Sequence, residues 1–145
     1  AWGAWFTVAA EVALHCDFVY TADASKFGDT HTRFGLRPTW GMSQTRSRAV
    51  GHRRARELSF TAKVFSGVQA AQWGVANASF ETPEALDEAL SETCSRIVGN
   101  SSDAVAAMKD LYRLAEEEGG IRASLDAEST SNYTIADTEE RLSKF

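Results

Sequence analysis

The sequence has little proline and cysteine and no long uncharged apolar run. Its 145 residues include two prolines, two cysteines and ten glycines, too few for a collagen-like chain or a Pro-rich linker. The sequence contains no run of eighteen uncharged apolar residues, so it predicts no membrane span. Hydrophobic residues make up 43% and charged residues 24% of the chain, which is typical of one globular domain of ordinary size.

Basic residues are scarce in the second half of the chain. Residues 1–80 contain nine Lys/Arg and five Asp/Glu, whereas residues 81–145 contain six and fifteen. Such acidic helices argue against nucleic acid as the main partner, because phosphate binding needs a basic footprint. One basic cluster is interpreted as a solvated helix face or, alternatively, as a binding patch for a phosphorylated small molecule. The cluster consists of Arg46, Arg48, His52, Arg53, Arg54 and Arg56.

Cysteine and histidine are not spaced as metal ligands. Cys16 and Cys94 lie far apart, and neither has a second Cys or His at the spacing of a zinc site. We therefore expect no metal site. Two isolated cysteines also predict a reduced cytoplasmic protein in which both thiols are buried.

The first 80 residues alternate between strand-forming and helix-forming segments. Aromatic and β-branched residues predict strands over 2–8 and 17–21, a helix over 9–15 between them, and a short third strand over 26–28. Strand, helix and strand in close succession indicate a parallel crossover. The spacing further predicts helices near 42–49, 51–61 and 67–73, followed by a short strand over 75–77. The fold class is therefore α/β.

From residue 82 onward the pattern is helical. Thr82-Pro83-Glu84 is a typical helix start, and Gly99 is a plausible end for that helix. Ser102-Asp103 opens the next helix, which Gly119-Gly120 should stop. A further helical segment is predicted over 121–130. Thr134-x-x-Asp137 resembles a capping box before a last helix.

Two or three short buried strands at the front of the chain pose a packing problem. Parallel sheets are normally covered on both faces, and the residues that follow are too few to cover them. The methionines, Met42 and Met108, both lie well inside a chain that starts at Ala1. We therefore expect that an N-terminal segment or half of the protein is missing from this sequence, or that a partner chain supplies the missing layer.

One carboxylate stands out in the first predicted helix. Glu11 is surrounded by Ala9, Ala10, Val12 and Ala13, and burying a carboxylate without a partner costs several kcal/mol. A functional role is one interpretation. The alternative is that Glu11 pairs with a core arginine or caps backbone amides.

Several segments, in order, resemble the crotonase (enoyl-CoA hydratase/isomerase) superfamily. The first is the phrase Gly3-Ala-Trp-Phe-Thr-Val-Ala-Ala-Glu11-Val-Ala-Leu-His-Cys16-Asp17, which is similar to Asn-Gly-x-Ala-x-x-Gly-Gly-x-Glu-Leu-Ala-x-x-Cys-Asp. The others are Ala24-x-Lys26-Phe-Gly28, Gly35-Leu-Arg-Pro38-x-Trp-Gly41, Val50-Gly51 to Leu58, Ala70-x-x-Trp-Gly-Val-Ala-Asn77 and Ile135-Ala-Asp-Thr-Glu-Glu-Arg-Leu142. The resemblance covers essentially the whole chain and is to the C-terminal portion of longer enoyl-CoA hydratases, particularly those of actinobacterial type.

The resemblance implies a fold and an assembly. Residues 1–80 would form the C-terminal part of a spiral of ββα units. Residues 81–145 would form a helical region for trimerisation, so that a homo-oligomer, trimer or hexamer, is expected. The substrate would be an acyl-CoA thioester, with coenzyme A carried by the substrate rather than held as a cofactor.

The resemblance also implies site residues. An oxyanion donor falls on the backbone of Val8, next to Ala9, while the second donor of the family lies before Ala1. The first of two catalytic carboxylates falls on Glu11. The second falls on His31, where an imidazole is chemically able to act as acid or base near neutral pH.

A few other residues are secondary candidates for the same site. Asp29 is the reserve carboxylate, although capping the turn after Gly28 is the more ordinary role for it. Phe34, Trp40 and Met42 are interpreted either as lining of an acyl pocket or as core, and Trp40 is assigned to substrate binding.

Two departures from the family phrase bear on activity. Val8-Ala9 replaces the usual Gly-Gly pair, which adds bulk where the backbone approaches the ligand, and His31 replaces a carboxylate. The leading interpretation is an enoyl-CoA hydratase. The alternatives are double-bond isomerisation or thioester hydrolysis through the same enolate, or a non-catalytic acyl-CoA-binding or assembly subunit.

Overall fold

The computed structural model describes residues 1–116, 125–126 and 128–143. Short strands and helices alternate up to residue 80, and longer helices follow, as the sequence predicts. The elements in chain order are β1 (Ala4–Phe6), α1 (Val8–Leu14), β2 (Tyr20–Ala22), β3 (Lys26–Gly28), a 3₁₀ turn (Thr32–Phe34), α2 (Met42–Val50), α3 (His52–Thr61), β4 (Phe65–Ser66), α4 (Gly67–Trp73), β5 (Ala78–Phe80), α5 (Pro83–Gly99), α6 (Ser102–Glu116) and a terminal helix (Thr138–Leu142).

The strands form two small sheets rather than one. Strand β3 is the middle of the first sheet: it pairs in parallel with β1, placing Trp5 opposite Phe27, and antiparallel with β4. Strands β2 and β5 pair in parallel as the second sheet, with Thr21 opposite Ser79. The predicted crossover from β1 through α1 to a neighbouring β2 is therefore wrong, because β2 lies in the other sheet.

A tight turn after β2 explains this separation. The amide of Ser25 donates to the carbonyl of Ala22, and its hydroxyl donates to the carbonyl of Ala1. The chain then reverses sharply. The backbone amide of Lys26 donates to the carbonyl of Gly3 beside β1, whereas the backbone amide of Asp23 donates to the carbonyl of Phe80 at the end of β5. Consecutive strands thus enter different sheets.

Three predicted strands begin later than expected, while β3 lies where it was predicted. Strand β1, predicted over 2–8, starts at Ala4, and Val8 already belongs to α1. Strand β2 starts at Tyr20 and β5 at Ala78. Before β5, the amides of Val75 and Ala76 still donate to the carbonyl of Ala70. These two residues therefore close α4 and are not available to a strand. The predicted helices near 42–49, 51–61 and 67–73 are confirmed to within one residue at each end.

Aromatic rings hold the first sheet against the helices behind it. Phe27 stacks on Phe65 with ring centroids 5.6 Å apart and on Trp5 at 6.5 Å, and Phe65 contacts Trp73 at 5.2 Å. Each such pair contributes about 0.5–1.5 kcal/mol beyond the area it buries. Because β1 is anchored through Trp5, the turn that follows β1 has a fixed position.

The chain divides into two compact units, Ala1–Leu90 and Ser91–Phe145. In the second unit, polar contacts tie the segment before the terminal helix to α6: Ala136 donates to Asp103 at 3.0 Å and Tyr133 to Asp110 at 2.8 Å. The terminal helix begins at Thr138, so the predicted capping box at Thr134 is wrong. The predicted stop at 119–120 lies outside the described residues, as does much of the predicted segment 121–130.

The two cysteines are on the surface. Both Cys16 and Cys94 are exposed, so the prediction of buried thiols is wrong. Cys16 lies beyond the end of α1, at an open apolar groove that Trp5, Val12 and Leu86 also line.

Among the residues that the structure describes, no helix is both long and apolar enough to cross a membrane.

Gly67 is a position where side-chain size should decide stability. A Cβ atom there would lie 1.9 Å from the carbonyl oxygen of Ala22, and the Gly67 amide donates to the carbonyl of Ser25 at 2.9 Å. We expect Gly67→Ala to lower the free energy of unfolding by about 3 kcal/mol or more, measured by urea denaturation.

Gly99→Ala is the matched control, because a Cβ atom at Gly99 meets nothing within 4 Å. Alanine favours a helix over glycine by up to about 1 kcal/mol, so this variant should be unchanged or slightly more stable. Equal stability of the two variants would contradict the close approach at Gly67.

Candidate functional site

Glu11 is almost fully buried on α1, with 1% of its surface exposed. Its Oε1 atom accepts hydrogen bonds from the backbone amides of Trp40 and Met42, both at 3.3 Å. Hydrogen bonds to a charged group contribute about 1.5–3 kcal/mol each, which offsets much of the cost of burying the carboxylate. Of the two structural alternatives, backbone capping is observed, and no arginine among the described residues pairs with Glu11. Both bonds use Oε1, so Oε2 is the oxygen left for a further partner.

The turn that leads into α1 has an unusual backbone. Thr7 adopts φ 51° and ψ −112°, a region that β-branched residues rarely occupy. Its amide donates to the carbonyl of Gly28 at 3.0 Å, and its hydroxyl lies 2.7 Å from that of Thr30. Thr7 was missed in the sequence because the family phrase leaves that position unspecified.

The amides of Val8 and Ala9 follow this turn. They belong to the first turn of α1, where backbone N–H groups have no intrahelical acceptor, and the side chain of Thr7 does not cap them. The side chain of Val8 is 45% exposed. The predicted oxyanion position is thus an uncapped amide beside an exposed valine.

His31 belongs to a buried polar network. Its Nδ1 atom lies 2.7 Å from Oδ1 of Asp29, and its backbone amide donates to the same oxygen at 3.2 Å. The other oxygen, Oδ2, accepts from Nη2 of Arg46 at 2.6 Å and from the hydroxyl of Ser59 at 2.9 Å. Nη2 of Arg46 also donates to Ser59. Asp29, His31 and Arg46 are all less than 10% exposed.

The network holds Asp29 in its ionised form. Burial acts to raise the pKa of this carboxyl, but the hydrogen bonds from His31 and Arg46, together with the positive charge of Arg46, outweigh burial and lower the pKa below its ordinary value of 3.8. The capping of the turn after Gly28 is also observed, through the His31 amide. Asp29 is consequently a paired carboxylate rather than a free one.

Helix α2 brings the two buried carboxylates into one neighbourhood. Met42 and Arg46 lie one turn apart on α2, where side chains share a face; the Met42 amide binds Glu11 and the Arg46 side chain binds Asp29. Thr7 and Thr30 join the same two regions from the other side. No hydrogen bond between described residues links Glu11 directly to His31.

The other predicted residues are divided between core and surface. Met42 is completely buried, whereas the side chains of Phe34 and Trp40 are mostly exposed. The Trp40 carbonyl lies 2.7 Å from Nε2 of His15, so the backbone on both sides of Trp40 is fixed while its indole is accessible.

The basic cluster does not form one solvated face. Arg46 is buried in the network with Asp29, and the remaining members of the cluster are exposed. The signal for this was present in the sequence, because Arg46 follows the buried Met42 by four residues and therefore lies on the buried side of α2. In addition, the Nε atom of Arg46 is buried without a hydrogen-bond partner.

Comparison with known proteins agrees with this architecture. A family model described as enoyl-CoA hydratase/isomerase matches residues 2–144. "Probable enoyl-CoA hydratase 1, peroxisomal" from Arabidopsis thaliana is 34% identical over 139 residues, which cover 95% of this chain and 52% of that protein. The chain thus spans about half the length of this curated relative.

Solved structures give the same result. Enoyl-CoA hydratase from Bacillus anthracis matches with a TM-score of 0.88 and 26% identity, over 97% of this chain and 54% of that one. Enoyl-CoA hydratase from Mycobacterium smegmatis matches with a TM-score of 0.73 and 34% identity, over 88% and 53%. The predicted crotonase-like α/β fold is confirmed.

The Asp29 network should make the free energy of unfolding depend on pH in the acidic range. Folding lowers the pKa of Asp29, so the ionised carboxylate stabilises the folded state. This stabilisation is complete above the ordinary pKa, shrinks as the pH falls below 3.8, and is lost below the folded-state pKa. We expect the free energy of unfolding, measured in denaturant at several pH values, to fall more steeply below pH 3.8 in the wild type than in Asp29→Asn.

Asp87→Asn supplies the comparison for this measurement, since Asp87 is an exposed aspartate on α5. It should keep the acid dependence of the wild type. Equal slopes for the wild type and Asp29→Asn would show that Asp29 titrates alike in the folded and unfolded chains.

Proposed function

Because the chain belongs to the enoyl-CoA hydratase/isomerase family, we propose that it is part of, or constitutes, an enoyl-CoA hydratase, which adds water across the double bond of a 2-enoyl-CoA thioester. One observation carries this proposal. A buried carboxylate, that of Glu11, is fixed by two backbone amides one helical turn after an uncapped amide at Val8. A base beside a donor for developing negative charge is the combination that enolate chemistry requires.

The amide of Val8 is assigned to the thioester oxygen. As water adds, this oxygen gains negative charge, and a preorganised backbone N–H stabilises it more in the transition state than in the substrate. The neighbouring Ala9 amide faces the same end of α1 and adds to the positive potential there. Because substitution of glycine leaves the N–H group in place, the donor survives at Val8.

Glu11 is assigned as the main acid/base and His31 as its auxiliary. The carboxylate of Glu11 takes a proton from water while the water oxygen bonds to the β-carbon. The α-carbon of the enolate then takes a proton from the ring of His31. The exposed indole of Trp40, whose amide binds Glu11, is assigned to the wall that contacts the acyl group.

Assembly is assigned to the second half of the chain. In α5 and α6, apolar side chains of Val98, Met108 and Tyr112 are 48–83% exposed, which supports a surface that is covered by another copy. A homotrimer or hexamer in the cytoplasm, with coenzyme A entering only as part of the substrate, completes the proposal.

A second candidate is a non-catalytic acyl-CoA-binding subunit. Thr7 precedes α1, Val8 and Ala9 begin it, and the side chain of Val8 is 45% exposed. The bulk of Val8 therefore stands where a ligand would approach the amide. Binding of a 2-enoyl-CoA without its hydration would support this candidate against the enzyme. Isomerisation and thioester hydrolysis share the enolate and are distinguished by product analysis.

Glu11→Gln should abolish most of the hydration. Glutamine retains an oxygen that accepts from Trp40 and Met42, so the fold is preserved, but it cannot accept the proton from water. We expect kcat to fall about 10²–10⁴-fold, measured as loss of the absorbance of a conjugated 2-enoyl-CoA thioester.

Glu57→Gln is the matched control, because Glu57 is an exposed carboxylate on α3 that pairs only with Lys63 among the described residues. Its kcat should equal that of the wild type. Hydration by Glu11→Gln at the wild-type rate would overturn the assignment of Glu11.

A further inference from the structure

The Asp29 carboxylate joins His31 on one side to Arg46 and Ser59 on the other. We propose that Asp29 is a positioning residue, which holds the ring of His31 with its hydrogen on Nδ1 and makes Nε2 the nitrogen that exchanges a proton with the substrate. The catalytic part of this inference rests on the proposed hydratase function. The arrangement of hydrogens in the network is independent of that function.

Two groups, the guanidinium of Arg46 and the carboxylate of Asp29, determine the direction of every hydrogen bond in the network. Arginine has only donors and an ionised carboxylate has only acceptors. Ser59 accepts from Nη2 of Arg46, so its own hydrogen is free to point to Oδ2 of Asp29. Nδ1 of His31, facing Oδ1 at 2.7 Å, must therefore be the donor.

The geometry also fixes the ring. Oδ1 receives two hydrogen bonds from the same residue, one from the backbone amide and one from the ring of His31. Asp29 is 2% exposed, so water does not compete for these bonds. A histidine whose Nδ1–H is held by a carboxylate has a defined tautomer and orientation.

This tautomer matches the proton transfer assigned to His31. When the imidazolium gives its Nε2 proton to the α-carbon of the enolate, the neutral ring that remains carries its hydrogen on Nδ1. The network stabilises that form and the imidazolium, since both donate to Asp29. The proton that Glu11 took from water returns to Nε2 through solvent, which restores both groups.

The first test is the tautomer itself, read by NMR of the wild-type protein with ¹⁵N-labelled histidine. The chain has three histidines, His15, His31 and His52, and loss of one set of signals in His31→Gln assigns the ring. The neutral ring should be protonated on Nδ1. A neutral ring protonated on Nε2 would overturn the inference, and this measurement needs no folded variant of Asp29.

The second test is Asp29→Asn. Arg46 can only donate, so it retains the amide oxygen and turns the NH₂ group toward Nδ1, which must then accept. We expect the hydrogen to move to Nε2 and kcat to fall on the order of 10²-fold, with KM changed less than threefold. Asp87→Asn, the same change at an exposed site, should leave both the tautomer and kcat unchanged.

The two tests separate this inference from the proposed function. An Nδ1–H ring in a protein that hydrates no 2-enoyl-CoA would retain the network and refute the hydratase. Hydration by a protein whose His31 carries its hydrogen on Nε2 would refute the network alone. A folded Asp29→Asn variant that keeps both the Nδ1–H tautomer and the wild-type kcat would also refute it.

Discussion

Two carboxylates buried within the first 30 residues impose the main constraint on this structure. A buried charge needs partners inside the protein, and helix α2 supplies partners to both. It gives a backbone amide to Glu11 from its first residue and the guanidinium of Arg46 to Asp29 from the next turn. The position of α2 therefore follows from electrostatics as much as from packing. Any change in the register of α2 would leave one or both charges unsatisfied.

The turn before α1 contains a strained residue, Thr7, that the surrounding contacts hold in place. Thr7 occupies a backbone region suited to glycine, and such residues cost about 1–3 kcal/mol. The strain persists because the turn is held by the strand β3 through Gly28 and by the loop through Thr30. The strained turn leads directly into α1, whose first amides belong to Val8 and Ala9 and which carries Glu11 one turn later. The same contacts connect the turn to the loop that contains Asp29 and His31.

Much of this could be predicted from the sequence, and the remainder has identifiable causes. Periodicity located the helices, the apolar surroundings singled out Glu11, and the resemblance identified the family. Alternation of residue types could not show that β1 and β2 enter different sheets, because the separation depends on a turn at Ser25 held by distant carbonyls. Arg46 was grouped with exposed arginines because charge is a stronger sequence signal than a four-residue spacing from Met42. The strain at Thr7 has no compositional signature.

Under the proposed function, the assignment of an acid/base role to His31 rather than to a second carboxylate has a physical reason once Asp29 is considered. Two carboxylates close together in a buried site resist simultaneous ionisation. Here the negative charge of Asp29 is matched by Arg46 and held by hydrogen bonds from His31 and Ser59. His31 then conveys the effect of Asp29 without bringing its charge next to the substrate, because the ring separates Nε2 from the carboxylate. The proposed function divides the roles in this site: Glu11 is assigned to accept a proton and His31 to deliver one, and we infer that Asp29 with Arg46 determines which nitrogen of His31 does so.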